Sequence, residues 1–334
     1  MFVGDLLEAV TVRFEAVGEE AVELPELGPV RLLRVEQTME LPGQRLASTL
    51  WLDDRGQPRR MRMPLLGSAI DMLACSRACA TAPNRVEALF DRALAQAPAG
   101  TGALDRRRAW RYRVQAADGE GLDFPSTAEQ RARREGETWT IVVRPGESAF
   151  GEPKPTPAER SASRWLESDH PELRRFAKAA AGDAVGDAER MRRLERAVAE
   201  HIREKSLAVG YASALETLRT RAGDCTEHAL LLAAAGRALG IPTRVATGLV
   251  YSPAFGEARE VFVPHAWTQA WIGGRWVSFD AAQRGFGGGH LLLAVGDGDP
   301  WRFAEGIAQL GRLRLLAVES LPPPGRAATP EAKL

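Results

Sequence analysis

One apolar segment constrains the fold of this chain more than any other feature. Residues Ala229 to Leu239 contain neither a proline nor a β-branched residue, so they favour a helix, and their apolar character indicates that this helix is buried. Gly240 and Pro242 follow directly, which is a common way for a helix to end. We therefore predict a buried helix at the centre of a domain.

Cys225 lies immediately before this segment, in the stretch Arg221 to His228. The first turn of a helix has backbone N–H groups without partners and carries the positive end of the helix dipole. Both effects favour a thiolate over a thiol, which makes the sulfur a better nucleophile. The neighbouring Asp224 and Glu227 oppose thiolate formation, and we interpret them as carboxylates that complement the dipole.

A histidine and an aspartate follow in strand-like segments. His265 comes 40 residues after Cys225, and Asp280 comes 15 residues after His265. The Gly273-Gly274 pair between them predicts a two-residue hairpin loop. In that register the two side chains share one face as diagonal neighbours, roughly 7–8 Å apart at the backbone. The order of nucleophile, base and orienting acid predicts covalent catalysis through a thioester.

The motifs around these residues resemble the bacterial transglutaminase-like superfamily. They are Gly223 to Ala229, Gly240 to Val245 with Gly248 to Tyr251, His265 to Trp267, and Trp276 to Asp280. The resemblance covers residues 160–313 and implies an α+β, papain-like core in which the nucleophile helix packs on an antiparallel sheet. It maps the catalytic triad onto Cys225, His265 and Asp280. Members of this superfamily include protein cross-linkers, peptidases, amidases and inactive modules.

The resemblance implies acyl transfer on a peptide or amide bond. Hydrolysis is favoured, because most bacterial members are thought to be hydrolases, and the alternatives are protein-glutamine transamidation and a catalytically silent binding or scaffold module. The backbone N–H of Cys225 is the expected oxyanion donor. Candidate substrate-binding residues are Trp267, Trp271 and Gln283, with core packing as an equal alternative for the tryptophans.

We expect four regions along the chain. A β-rich N-terminal domain covers residues 1–145, a Pro-rich linker 146–159, the catalytic domain 160–313, and a disordered tail 314–334. The predicted strands lie at 30–38, 46–52, 59–63, 110–115, 138–143, 245–251, 265–272, 276–281 and 291–295, and the predicted helices at 85–95, 170–181 and 187–205.

The amino-acid composition limits the kinds of partner and cofactor that we expect for this protein. The 334 residues carry 44 basic and 44 acidic side chains, so no net field attracts nucleic acid, and a peptide or protein substrate is expected instead. No apolar stretch reaches the ~18 residues that cross a bilayer, and no acidic loop of a calcium-binding pattern occurs. We expect no membrane span, no cofactor and no metal.

The start of the chain and its cysteines bear on the cellular compartment. Met1 to Phe14 lacks the basic region of a signal peptide, which predicts a cytoplasmic location as written, or a periplasmic or secreted one if a leader is missing. The three cysteines leave at least one free thiol. For Cys75 and Cys79 we favour reduced structural thiols over a disulfide, and a metal site least of all, because no second cysteine or histidine pair is suitably spaced.

Overall fold

The chain divides into two compact units, Met1–Ala88 and Leu89–Leu334. The computed structural model describes residues 2–3, 8–9, 11–41, 44–65, 68–80, 94–116, 123–146, 152–205, 211–299 and 313–322. The predicted boundary near residue 145 is wrong, because the strands between residues 109 and 143 bury their apolar side chains inside the second unit.

The first unit is built from antiparallel strands. Two short strands, β1 (Phe2–Val3) and β2 (Glu8–Ala9), pair with each other. Five strands then follow one another in a meander: β3 (Thr11–Leu24), β4 (Gly28–Leu41), β5 (Gln44–Leu52), β6 (Pro58–Leu65) and β7 (Ser68–Leu73). The strands predicted at 30–38, 46–52 and 59–63 are confirmed. The cluster of buried apolar side chains in this sheet is small and consists of Val22, Leu24, Leu32 and Trp51.

Cys75 and Cys79 form a disulfide, with 5.9 Å between their Cα atoms, next to the single-turn helix α1 (Arg77–Ala80). The preference for reduced thiols is therefore wrong, and Cys225 is the free cysteine of the chain. Most of the helix predicted at 85–95 lies outside the described residues, and Ala95 belongs to a strand.

Four longer helices lie in the described residues of the second unit: α2 (Pro171–Ala181), α3 (Asp187–His201), α4 (Ala214–Thr220) and α5 (Cys225–Ala238). Helix α5 is buried on nearly all sides, as its apolar sequence predicts, and the other three helices contact it. The helix predicted at 187–205 ends earlier, at His201. Within the described ranges, no helix combines the length and hydropathy that crossing a membrane requires.

The strands of the second unit, in chain order, are β8 (Ala95–Gln96), β9 (Ala109–Ala116), β10 (Gln130–Glu135), β11 (Thr138–Val143), β12 (Thr243–Phe255), β13 (Ala258–Ile272), β14 (Arg275–Phe279), β15 (His290–Gly296) and β16 (Leu313–Leu321). They form two antiparallel sheets. The first has the order β14-β13-β12-β15 with β8 also paired to β13, and the second has the order β10-β11-β9-β16. All six strands predicted from residue 110 onward are confirmed.

Two apolar cores sit on the five-stranded sheet. The first lies between the sheet and helix α5, and includes Ala266, Ala270 and Phe279 on one face of β13 and β14. The second core joins this sheet to the four-stranded one, with Tyr112, Ile141, Leu249 and Phe262 at its centre.

Two regional predictions are wrong. The tail expected from residue 314 begins as strand β16, which pairs with β9 and buries Leu313 and Leu321; residues 323–334 lie outside the described part. The expected linker is not a free spacer either, because Glu152 within it is buried and accepts a hydrogen bond from the backbone N–H of Trp276 on β14.

Candidate active site

Cys225 is the first residue of helix α5 and is half-buried. Asp224 caps the helix, since its Oδ1 accepts a hydrogen bond from the N–H of Thr226 at 2.8 Å. Glu227 completes a capping box by accepting from the N–H of Asp224 at 2.9 Å. These contacts confirm both acids as helix-capping groups and fix the first turn that carries the thiol.

Glu227 also ties this turn to the chain before it. Its second oxygen accepts from the N–H of Ala212 at 3.1 Å. Burial, with the charge of Asp224, raises the pKa of Glu227 to about 7. Gly223 is required beside it, because a Cβ there would lie 2.3 Å from the Cβ of Glu227 and its φ is +155°.

The hairpin of β13 and β14 has the register that the sequence predicts. Ile272 pairs with Arg275 across the Gly273-Gly274 turn, and the pairing runs on to Thr268 and Phe279. Both glycines have positive φ, at 59° and 85°, as a type I′ turn requires.

The predicted base and acid meet at the end of this hairpin. Nε2 of His265 lies 2.7 Å from Oδ2 of Asp280, and the two side chains are 4% and 1% exposed. Burial opposes a charge on the His265 ring. The charge of Asp280, the hydrogen bond to it, and a hydrogen bond and charge from Cys225 outweigh burial and raise the pKa of His265 to about 10.

The pKa of Asp280 moves the other way. Burial alone would raise it, but the charge of His265 and hydrogen bonds from His265 and His290 hold the pKa of Asp280 well below its ordinary value. The structure thus brings Cys225, His265 and Asp280 into one interacting group. Because Nε2 of His265 faces Asp280, Nδ1 is the ring atom left for the sulfur.

Residues 174–281, which include all three of these side chains, match the sequence model of the transglutaminase-like superfamily. This part of the chain is a transglutaminase-like domain. Its α+β fold and antiparallel sheets confirm the predicted fold class. The match ends at residue 281, so His290 lies outside the matched segment.

Solved structures resemble the chain at low identity. A candidate cysteine protease from Cytophaga hutchinsonii is 18% identical with a TM-score of 0.40, and the match covers 64% of this chain and 86% of that one. The periplasmic domain of TgpA from Pseudomonas aeruginosa is 17% identical with a TM-score of 0.38, covering 65% and 80%. A candidate protease from Parabacteroides distasonis is 14% identical with a TM-score of 0.28, covering 51% and 37%. No curated protein matches the chain.

A second histidine binds the acid of the transglutaminase-like domain. Nε2 of His290, the first residue of β15, lies 2.8 Å from the same Oδ2 of Asp280. Oδ1 of Asp280 accepts from the backbone N–H of Gln283 at 3.0 Å. His265, Asp280 and His290 are a described group whose ligand atoms could surround a metal ion, since those atoms lie within 4.8 Å of one another. The two histidine Nε2 atoms lie 2.7 and 2.8 Å from Oδ2 of Asp280. These are the distances expected when imidazole N–H groups donate hydrogen bonds to a carboxylate.

Glutamates cover the free edge of β14 in the domain. The N–H groups of Trp276, Ser278 and Asp280 point away from β13, and each donates to a glutamate, at 2.8, 3.1 and 2.6 Å. The acceptors come from three separate segments and are Glu152, Glu129 and Glu195. Because an uncovered edge strand can pair with another chain, these carboxylates take the place of a neighbouring strand.

Two of these glutamates have shifted pKa values. Burial raises the pKa of Glu129 to about 7, against hydrogen bonds from Ser278 that lower it. Burial likewise raises the pKa of Glu195 to about 6. Both line a cavity of about 320 Å³ beside β14.

Strand β9 and the residues that lead into it support the site from outside the matched region. Arg106 donates to the carbonyl of Gln283 at 2.9 Å and also to that of Gly285. The Tyr112 hydroxyl donates to the carbonyl of Gly288. This segment, to which the sequence assigns no role, therefore holds the loop between Asp280 and His290.

The structure places the three candidate substrate-binding residues differently. Trp267 is 1% exposed and packs on the rings of His265 and His290, which is the core packing left as its alternative. Trp271 is half-buried against Trp276, and Gln283 is exposed at its side chain.

Sequence reasoning missed the contacts that Glu195 and His290 make with Asp280. The Gly-rich run before His290 is the sequence feature that could have indicated a packed loop there. Glycines at 287 and 288 allow backbone contacts that a Cβ would block.

Proposed function

We propose that the second unit is a cysteine-dependent acyl-transfer enzyme that hydrolyses peptide or amide bonds through a thioester. The observation that supports this most is the buried His265–Asp280 pair, with Cys225 interacting with the same ring. A histidine whose pKa is raised to about 10 is protonated at neutral pH, and it therefore places a positive charge beside the sulfur.

The chemistry follows from these positions. The sulfur of Cys225 attacks the carbonyl carbon of the substrate, and the C–N bond then breaks as His265 gives its proton to the leaving amine. The product is a thioester on Cys225 and a neutral His265. His265 next takes a proton from water as the water attacks the thioester, which releases a carboxylic acid and restores the thiolate and the protonated ring.

The backbone N–H of Cys225 is the proposed donor to the oxyanion of both tetrahedral intermediates. It lies at the first turn of α5, where no carbonyl of the helix can reach it. None of the described residues accepts a hydrogen bond from it.

Hydrolysis is proposed over transamidation on the basis of the bacterial superfamily that the motifs resemble. The proposed substrate is a peptide or protein, because the superfamily that the motifs resemble includes peptidases and amidases.

Thiol labelling tests the nucleophile. The full chain is treated with iodoacetamide at pH 6 without reductant and followed by intact-protein mass spectrometry. Because Cys75 and Cys79 are joined, we expect one label, on Cys225, at a rate at least tenfold above that of glutathione. The His265→Gln variant should be alkylated no faster than glutathione. A wild-type rate equal to that of glutathione, and unchanged in His265→Gln, would contradict the proposal.

Acyl trapping tests the reaction. The chain is exposed to a peptide library, quenched in acid, and searched for an acyl adduct on Cys225, with Cys225→Ala as the control. Repeating the reaction with cadaverine separates the outcomes: hydrolysis gives free acids, and transamidation gives cadaverine amides. If cadaverine amides are the main product, the reaction is transamidation and not the proposed hydrolysis.

A further inference from the structure

We propose that His290 is a positioning residue of the active site, which holds Asp280 in the orientation that serves His265. This inference rests on the proposed function. Its basis is a geometric one: two histidines from different strands, β13 and β15, place their Nε2 atoms 2.7 and 2.8 Å from a single carboxylate oxygen.

The contacts of Asp280 define what His290 adds. Oδ1 is held by the N–H of Gln283, and the Asp280 backbone N–H is held by Glu195. Oδ2 accepts hydrogen bonds from the Nε2 atoms of both His265 and His290. Without His290, one donor would be left on a buried charged oxygen that accepts two in the native structure. The carboxylate could then rotate towards other donors and away from His265.

The state of the His290 ring follows from its partners. The carboxylate at Nε2 requires a proton on that nitrogen. Burial lowers the pKa of His290 below its ordinary value, so the ring is neutral at pH 7 and Nδ1 has no proton. Nδ1 lies 3.3 Å from the backbone nitrogen of Gly287 and 3.0 Å from its carbonyl oxygen, and in the neutral ring it accepts from the Gly287 N–H. His290 is therefore a neutral donor to Asp280, while His265 is the charged one.

The surroundings of His290 fix this ring in place. Its backbone N–H donates to the carbonyl of Gly287 at 3.1 Å, and the ring contacts Trp267 and Phe286 with centroids 5.2 and 4.7 Å away. The charged groups that act on it are Asp280, His265 and Arg106. The ring is fully enclosed, with its side chain 0% exposed, so it acts on substrate only through Asp280.

The test compares His290→Gln with His290→Leu in the full chain. The glutamine amide nitrogen can take the place of Nε2 as a donor, whereas leucine fills the volume without one. The readout is the rate of Cys225 alkylation by iodoacetamide from pH 4 to pH 10. We expect His290→Gln to keep the wild-type profile, and His290→Leu to react at least tenfold more slowly at pH 6.

The direction of the pH shift separates positioning from simple packing. If Asp280 loses its orientation, it stabilises protonated His265 less and the ion pair with the thiolate weakens, so the acid limb of the profile should move to higher pH in His290→Leu. A packing role would change the unfolding temperature without moving this limb. A folded His290→Leu with the wild-type profile would overturn the inference.

Nitrogen-15 NMR of the histidine rings provides a second measurement that needs no leucine variant. We expect Nε2 of His290 to carry a proton and Nδ1 to be unprotonated in the wild-type protein. The opposite tautomer would overturn the inference even if His290→Leu fails to fold. If wild-type Cys225 reacts like glutathione and forms no acyl adduct, the proposed function itself fails. Fast wild-type labelling with an unchanged His290→Leu profile removes only the role of His290.

Discussion

Glu195 on helix α3 accepts a hydrogen bond from the backbone N–H of Asp280, with 2.6 Å between the nitrogen and Oε1. Helix α3 therefore contacts Asp280, the proposed orienting acid, although it lies far from it in sequence. Burial raises the pKa of Glu195 to about 6, and the charge of Asp280 adds to this shift. The contact fixes the backbone at the point where β14 ends.

We expect Glu195→Ala to lower both stability and Cys225 reactivity. Removing the acceptor leaves a buried N–H without a partner, which costs about 1–3 kcal/mol, and it frees the backbone of Asp280. Glu195→Gln keeps an acceptor oxygen and should alkylate within about threefold of wild type. Urea unfolding and the iodoacetamide rate check both variants. Glu200→Ala, at an exposed position of the same helix, is the control and should change neither.

Asp280→Asn should abolish most of the activity while leaving the chain folded. The asparagine amide can turn its NH₂ group towards the two histidine N–H groups, which places donors against donors, or it can turn its oxygen towards them as a weaker, uncharged acceptor. In either orientation His265 loses the charge that stabilises its protonated form and the acceptor that fixes its tautomer. In a triad this change lowers kcat by about 10²–10⁴. Turnover of the best peptide found by acyl trapping measures it, with exposed Asp183→Asn as the matched control. Activity within threefold of wild type would show that Asp280 does not serve the base.

The sequence predicts the centre of this domain well because its signals are local. The apolar run after Cys225 fixes a buried helix, and the Gly273-Gly274 pair fixes the register that brings His265 and Asp280 together. Each inference depends on fewer than 20 consecutive residues and on a backbone rule that tertiary context does not override here.

The supporting contacts could not be predicted, since they join distant segments. Arg106 reaches Gln283 across 177 positions, and Glu195 reaches Asp280 across 85. The same reason explains the wrong boundary at residue 145: β9 pairs with β16, about 200 residues later. A composition rich in Pro and Gly suggests a linker near residue 150, but it does not reveal that Glu152 is buried against Trp276.

Gly288→Ala tests whether the glycine run positions His290. A Cβ at this position would lie 2.1 Å from the carbonyl oxygen of Arg108, so the backbone must move. Overpacking of this kind costs about 1–3 kcal/mol, and we expect a matching loss of stability with slower Cys225 alkylation. Gly296→Ala is the control, because nothing lies within 4 Å of its added Cβ. Equal melting temperatures for the two variants would argue against a tight contact at Gly288.

Glu129→Gln should change how the stability of the protein depends on pH. Burial raises the pKa of Glu129 from an ordinary 4.5 to about 7, so the folded state holds this proton more tightly than the unfolded state does. Its contribution is present in full below pH 4.5 and is lost as pH rises through 7. At 1.36 kcal/mol per pKa unit, the loss is about 3 kcal/mol. Glutamine can still accept the N–H of Ser278 but does not ionise. The free energy of unfolding of Glu129→Gln relative to wild type should therefore rise between pH 4.5 and pH 8, as measured by urea titration. Glu257→Gln, at an exposed position, should show no such rise. If the free-energy difference between Glu129→Gln and wild type did not change with pH, burial would not destabilise the Glu129 carboxylate of the wild-type protein.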